Sequence, residues 1–355
     1  MQSIIDSITL STGIQESEGA DLKNMTVLVT GGTGGIGFEV ARAFAASRAR
    51  VLVLSRKSEN GEEAVSKIKE SIQGPVDIKF ISCDLGNLAE VKQVADKIHA
   101  EEKALDIFVA DAGVGVNKFD VSYDGIDRHF AVNHLGHFLL INRLMPLMYR
   151  TSRFPPLGAA RPRAPRIVSI SSELHRMAPN SSTFASEEEV VGTEDNQSAT
   201  MSAVGLYARS KLANLLFTRY FVNNVIKKNG YNMMALATHP GAVHTGQQAQ
   251  FKEAYGTILG TMLEAVTIPF MRNPEQGSAS TVWAAVSPAV DGSDGKSESE
   301  KWQGAYVTDP GVKSVPSGMA LDDEIAENLW RLSEELVAEK LGADALLDWE
   351  QKEVV

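Results

Sequence analysis

The chain has 355 residues, 43% hydrophobic and 22% charged, a composition that excludes fibrous, disordered and coiled-coil classes and leaves ample chain for a buried core. Its net charge of −11, from 34 basic and 45 acidic residues, argues against a nucleic acid or an anionic membrane surface as the main partner and favours small molecules. One cysteine, Cys83, can build neither a disulfide framework nor a thiolate metal site and fits a reducing compartment, hence a cytoplasmic location. Residues 1–6 lack the basic and apolar regions of a secretory signal. The most apolar stretch outside the expected strands, 255–271, is interrupted by Glu264 and Pro269 and is too short for a hydrocarbon core of roughly 30 Å, so no integral membrane segment is expected.

In chain order, Met25 to Thr30 is a β-branched apolar run, followed by Gly31-Gly32-Thr33-Gly34-Gly35-Ile36-Gly37 and a helical sequence from Phe38 to Ser47. This reads as strand, glycine turn and helix. Val51 to Leu54 predicts a second strand, Glu62 to Ile72 a helix, and Ile78 to Cys83 a third strand before Asp84. Val91 to His99 predicts a helix and Leu105 to Ala110 a strand. The alternation continues with a helix from Arg128 to Tyr149, a strand from Arg166 to Ile170, a helix from Tyr207 to Lys227 and a strand from Met233 to Thr238. Short strands separated by helices of this length predict right-handed βαβ units: an α/β fold with one Rossmann-type, doubly wound parallel sheet and helices on both faces.

No second composition regime appears, and we find no internal repeat. Residues 25–290 are read as one domain, with insertions at 173–206 and 246–273 and a Pro/Arg-rich stretch at 155–165. An extension at 1–24 precedes it, and another at 291–355 packs on the same domain. In the latter, Asp322-Asp323-Glu324 opens a helix with Ile325, Leu329, Leu332 and Leu336 on one face, which is a packing helix.

The glycine turn stands where a pyrophosphate site requires it, after the first strand and at a helix start whose free N–H groups and dipole attract anions. An NAD-selective site carries an acid at the end of the second strand. Here that place holds Ser55-Arg56-Lys57. A guanidinium can fork onto a 2′-phosphate that an acid would repel, so Arg56 favours NADP, the alternative being a solvated surface cation.

With this turn, Asn133, Ser172 and Tyr207-Ala208-Arg209-Ser210-Lys211, the chain resembles the short-chain dehydrogenase/reductase family over roughly Leu22 to Val286. The phrases Asn133-His134-Leu135-Gly136-His137-Phe138 and Ser210 to Phe217 resemble its retinol-dehydrogenase-like branch, which includes reductases of fungal secondary metabolism. The resemblance implies that Tyr207 is the general acid for carbonyl reduction, or the base for alcohol oxidation. Lys211, at i+4 on the same helix face, is expected to lower the phenol pKa and to hold the nicotinamide ribose. Ser172 would hydrogen-bond the substrate carbonyl, with Ser171 as the competitor for that role. Asn133 would hold a water in the proton relay, or else bond backbone from inside a helix.

The same resemblance assigns the NADP cradle to Gly31, Thr33, Gly35, Ile36 and Gly37, with Arg56 at the 2′-phosphate. Ala112 and Gly113 line it, and Tyr207 and Lys211 bound its nicotinamide end. Asp84 would accept from the adenine amine, unless it caps a helix. Val243 backbone and Thr245 hydroxyl in Pro240-Gly241-x-x-x-Thr245 would bind the carboxamide. One position departs from the pattern: the usual Asn-Ala-Gly is here Asp111-Ala112-Gly113. An ionised Asp cannot donate, so the amide bridge is in doubt, and Asp111→Asn is expected to leave NADPH affinity nearly unchanged.

His134 and His137 lack a third ligand at suitable spacing, so no metal is expected and both read as packing or surface histidines. Serine-hydrolase and phosphoryl-transfer motifs are missing. The 35 residues separating Ser172 from Tyr207, together with the stripe Leu259, Met262, Leu263 and Val266, are read either as walls of a substrate pocket or as core. If they are walls, the substrate is a fairly large hydrophobic ketone, aldehyde or secondary alcohol. The expected activity is NADPH-dependent carbonyl reduction of a hydrophobic small molecule. Oxidation of a retinoid- or steroid-like alcohol and a coenzyme-sensing scaffold are the alternatives. The resemblance further implies a homodimer.

Overall fold

The apolar runs that alternate with helical patterns become adjacent strands of one sheet. The computed structural model describes residues 20–154, 164–191, 197–243, 271–293 and 299–349. Its strands are β1 (Thr26–Thr30), β2 (Arg50–Ser55), β3 (Ile78–Ser82), β4 (Ile107–Ala110), β5 (Arg166–Ile170), β6 (Met234–Thr238), β7 (Tyr306–Asp309) and β8 (Val312–Ser314). The sheet order is β3-β2-β1-β4-β5-β6-β7-β8. The strands run parallel except β8, which turns back antiparallel on β7. All residues of β1, β4, β5 and β6 are buried, as expected of parallel strands covered on both faces.

The winding reverses between β1 and β4, so the loops after these strands part and leave a crevice at their C-terminal ends. On one face α1 (Gly35–Ala46) packs Val40 and Phe44 onto β1 and β2, and α6 (Pro274–Val286) lies beside it over β5, β6 and β7, its Val282 and Trp283 joining the same core as Val29 and Val53. The edge strand β3 and its neighbour β2 are flanked by α2 (Ser58–Ser71). The other face is covered by α3 (Leu88–Glu101), α4 (Gly136–Arg153), α5 (Ala203–Tyr220) and α7 (Asp323–Leu341).

The structure moves several expected boundaries. The expected Arg128 to Tyr149 helix contains a π-helical stretch, Ala131–Leu135, and ends at Arg153. The helix around Tyr207 starts at Ala203, capped by the Ser202 hydroxyl, and passes into a π stretch, Phe221–Lys227. Neither β7, four residues long, nor α6 was expected. The start of α6 was nonetheless written in the sequence, because Asn273 and Gln276 form a reciprocal capping box ahead of Pro274 in the first turn. Within 291–355, β7 and β8 extend the same sheet, and α7 docks on α5. Trp330 stacks on Tyr220 with ring centroids 4.6 Å apart and meets Phe138 edge-on at 5.0 Å. As read from the sequence, Asp322 opens α7, its carboxylate accepting from Glu324 N and Ile325 N. Most of 1–24 and of 246–273, and all of 155–163, lie outside the described residues.

Candidate active site

A cavity of about 1080 Å³ occupies the crevice. One wall is the glycine turn. Gly31 has φ of +72°, and a Cβ there would fall 2.9 Å from the backbone N of Ala112. A Cβ on Gly37 would lie 2.6 Å from the Gly31 carbonyl. Both positions therefore require glycine. Thr33, Gly35 and Ile36 line the cavity at the head of α1, and Gly34 supplies no side-chain cap. Thr33 donates from its hydroxyl to Ser55 Oγ at 3.0 Å, tying the turn to the end of β2.

Arg56 and Asp84 line the same end, with Nη1 of the half-exposed arginine 3.9 Å from Asp84 Oδ2. Asp84 does not cap α3. Asn87 does, accepting from Glu90 N at 3.2 Å, while Asp84 Oδ1 accepts from Gly86 N at 2.9 Å.

The opposite wall comes from β5 and α5. Tyr207 and Lys211 lie one turn apart on α5, with Lys211 Nζ 5.7 Å from the phenol ring centroid. The ammonium donates to Ile170 O at 2.9 Å, at the end of β5. Ser172 follows that strand. Its Oγ accepts from Leu174 N at 3.2 Å, and its hydroxyl hydrogen-bonds the Tyr207 phenol at the cavity wall. Ser171 spends its proton on Lys211 O at 2.8 Å.

The electrostatics depart from the expected lowering of the phenol. Burial pushes Tyr207 up to about 12, the Ser172 hydroxyl opposing the rise and Asp111 adding to it. Burial also pushes Lys211 down to about 8, against the pull of Asp111. Helical spacing shows that two side chains are neighbours, but it does not show that both are removed from water, and here desolvation wins.

Asn133 sits in the π stretch just behind the cavity. Its Oδ1 accepts from Val114 N at 2.7 Å, and its Nδ2 donates to Val114 O and Ser210 Oγ at 3.0 and 2.8 Å. Its side chain thus clamps the loop after β4, the second of the two roles read from the sequence. Ala112, Gly113 and Val243 line the cavity. Thr245 lies outside the described residues.

A model of the short-chain dehydrogenase family matches residues 25–183. A Neurospora crassa protein named bli-4, mitochondrial, is 31% identical over 336 residues, spanning 93% of this chain and 76% of that one. A chloroplastic short-chain dehydrogenase from Brassica napus, TIC 32 B, is 32% identical over 330 residues, spanning 92% and 93%. This chain belongs to the short-chain dehydrogenase family. The crystal structure of L-sorbose reductase from Gluconobacter frateurii, complexed with NADPH and L-sorbose, shares the fold, with a TM-score of 0.58 at 18% identity over 85% of this chain and 99% of that one.

For a short-chain dehydrogenase, a nicotinamide dinucleotide is the group the site must take, and the residues fit it. Gly31 and Gly37 leave a cradle that a Cβ would fill, and the start of α1, whose N-cap glycine supplies no side chain, lines the cavity. Two further wall residues were not singled out by sequence, Glu173 and His239. His239 directly follows β6 and Glu173 lies three residues past the end of β5, at the C-terminal ends of the strands where α/β ligands bind, and that position was the available signal. Burial pushes His239 down to about 4, so it is neutral, and Glu173 pairs with Arg176 at 2.6 Å.

The two histidines read from the sequence as packing or surface residues are both buried. His134 meets Ser333 Oγ at 2.8 Å among aromatic rings. His137 bridges Thr30 Oγ1 at 2.8 Å and Asn133 O at 3.2 Å. Among the described residues no helix is long and apolar enough to cross a membrane.

Proposed function

We propose that the protein is an NADPH-dependent reductase of a ketone or aldehyde carried by a hydrophobic small molecule, with Tyr207 as proton donor. The observation that carries this reading is that the glycine turn with Arg56 and the trio Ser172, Tyr207 and Lys211 line one continuous cavity. A bound NADPH supplies the hydride. Ser172 and Tyr207 stand hydrogen-bonded to each other at the cavity wall, so a substrate carbonyl can be oriented between the two hydroxyls, and Tyr207 holds its own proton throughout the neutral range, as an acid catalyst must. Lys211, fixed on Ile170 O, keeps a positive charge beside the phenol. Asn133 holds the Val114 backbone, and Val114, Val116, Leu174 and Met271 give the described walls an apolar character. The retinol-dehydrogenase-like branch and a secondary-metabolite substrate belong to this proposal, as does a cytoplasmic location. A tagged full-length chain would test the last, since the two relatives carry mitochondrial and chloroplastic in their names.

Oxidation of NADPH and of NADH against a panel of lipophilic carbonyls tests the activity. Turnover preferring NADPH is expected. Arg56→Asp should cut the NADPH-over-NADH preference in kcat/KM by about 10- to 100-fold, the worth of one charge-assisted fork. An unchanged preference removes Arg56 from the 2′-phosphate site.

A further inference from the structure

Asp111 is the residue for which the family resemblance offers no role, and its surroundings give it one. It follows β4, and its backbone N–H donates to Thr30 Oγ1 at 3.0 Å. Its carboxyl is folded against the glycine turn. Oδ2 occupies the space that a Cβ on Gly37 would enter at 2.4 Å and one on Gly31 at 3.0 Å. The carboxyl accepts from Gly37 N–H in the first turn of α1 and lines the cavity beside Gly31, Gly35 and Ile36. The charged and titratable groups that face it are Lys211 and Tyr207 from α5, and, through Thr30, the neutral His137 from α4. Among the described residues no cation pairs with it within 4.0 Å, and Lys211 Nζ is turned to Ile170 O.

We propose that Asp111 takes up a proton when the coenzyme binds, so that it positions the dinucleotide as a neutral carboxyl and sets the upper pH limit of coenzyme affinity. This rests on the coenzyme reading above. A carboxylate and a pyrophosphate at one helix start share a single positive dipole end, and the weaker acid gives way by protonation. Burial already pushes Asp111 up to about 7, against the pull of Lys211 and of the Gly37 N–H. In the free protein below that pH the proton is in place, and affinity is level. Above it, each binding event must draw a proton from solvent, so affinity falls by up to about tenfold per pH unit until the bound-state pKa is passed. The expectation that Asp111→Asn leaves NADPH affinity unchanged then holds only on the acid side.

Calorimetric titration of the intact protein with NADPH between about pH 6 and about pH 9, in two buffers of different ionisation enthalpy, tests this. The dissociation constant should be flat to about pH 7, then rise roughly tenfold over the next one to two units, with close to one proton taken up per coenzyme. NADH should show the same slope, since it lacks the 2′-phosphate. Asp111→Asn should bind NADPH with a flat profile up to about pH 8 and take up no proton. Independently of that variant, infrared difference spectra of the wild type at alkaline pH should gain a protonated-carboxyl band on binding. A flat wild-type profile, no proton uptake, or a slope retained in Asp111→Asn overturns the proposal while leaving coenzyme binding intact. An absence of binding at every pH overturns both.

Discussion

Tyr207→Phe is expected to lower kcat for carbonyl reduction by about 10²- to 10⁴-fold, the range for a positioned general acid, while NADPH still binds. The substitution removes one oxygen and leaves the ring against the cavity wall. Lys211 does not depend on that oxygen, because its ammonium rests on Ile170 O, and Ser172 keeps its bond from Leu174 N. Loss of turnover with coenzyme affinity preserved therefore assigns the effect to the phenol hydroxyl, its proton and its bond with Ser172. Retained turnover would exclude Tyr207 as the acid. The pH dependence gives a second check. Lys211 is held down to about 8 by burial, so the ammonium beside the phenol is lost as pH rises through that value. Thus kcat at saturating NADPH should decline above about pH 8, although the phenol itself, pushed up to about 12, stays protonated. A kcat that stays level through about pH 10 would remove Lys211 from the proton path.

The strands legible in the sequence are β1 to β6, most of them buried on both faces and β3 only partly buried at the sheet edge. β1, β5 and β6 are rich in apolar and β-branched residues, and their ends shift by at most one residue from the reading. β7 was not legible because Tyr306 to Asp309 is too short to show a period and takes its identity from pairing with β6 at Ala237 and Thr238. The π stretch at Asn133 has no signature in composition, yet it places the amide where it can clamp Val114. Spacing alone found that Tyr207 and Lys211 adjoin. It gave the wrong sign for the phenol because desolvation depends on the surrounding wall, which no local pattern records. Arg209 shows the same limit most sharply. In the motif it is a spacer between two functional residues, and in the fold it is fully buried.

Replacing Arg209 by Met should destabilise the protein by about 3–5 kcal/mol, because it strands a buried carboxylate. Arg209 Nη2 donates to Asp127 Oδ2 at 2.7 Å, with the two side chains 1% and 0% exposed, and Nη1 donates to the Glu189 carbonyl. Asp127 in turn accepts from His129 N at 3.1 Å, and the His129 ring reaches the Gly115 carbonyl at 3.0 Å. Burial alone would raise Asp127, but His129 and the Arg209 guanidinium hold it below the ordinary carboxylate value. A depressed carboxylate contributes stability above its unfolded pKa and loses it as pH falls through the folded one, so the penalty in Arg209→Met should be full at neutral pH and shrink in acid. Urea unfolding at pH 7 and at about pH 3 measures both. The double variant Asp127→Asn/Arg209→Met should cost less than the sum of the two singles, since a neutral amide leaves no charge unpaired. Strict additivity would mean that the pair does not act as a unit. The arrangement explains why a guanidinium stands between Tyr207 and Lys211 in sequence. It points to the far side of α5, where it ties the helix carrying both to the loops around Gly115 and Glu189, so the wall opposite the coenzyme is held by an ion pair that touches neither reactant.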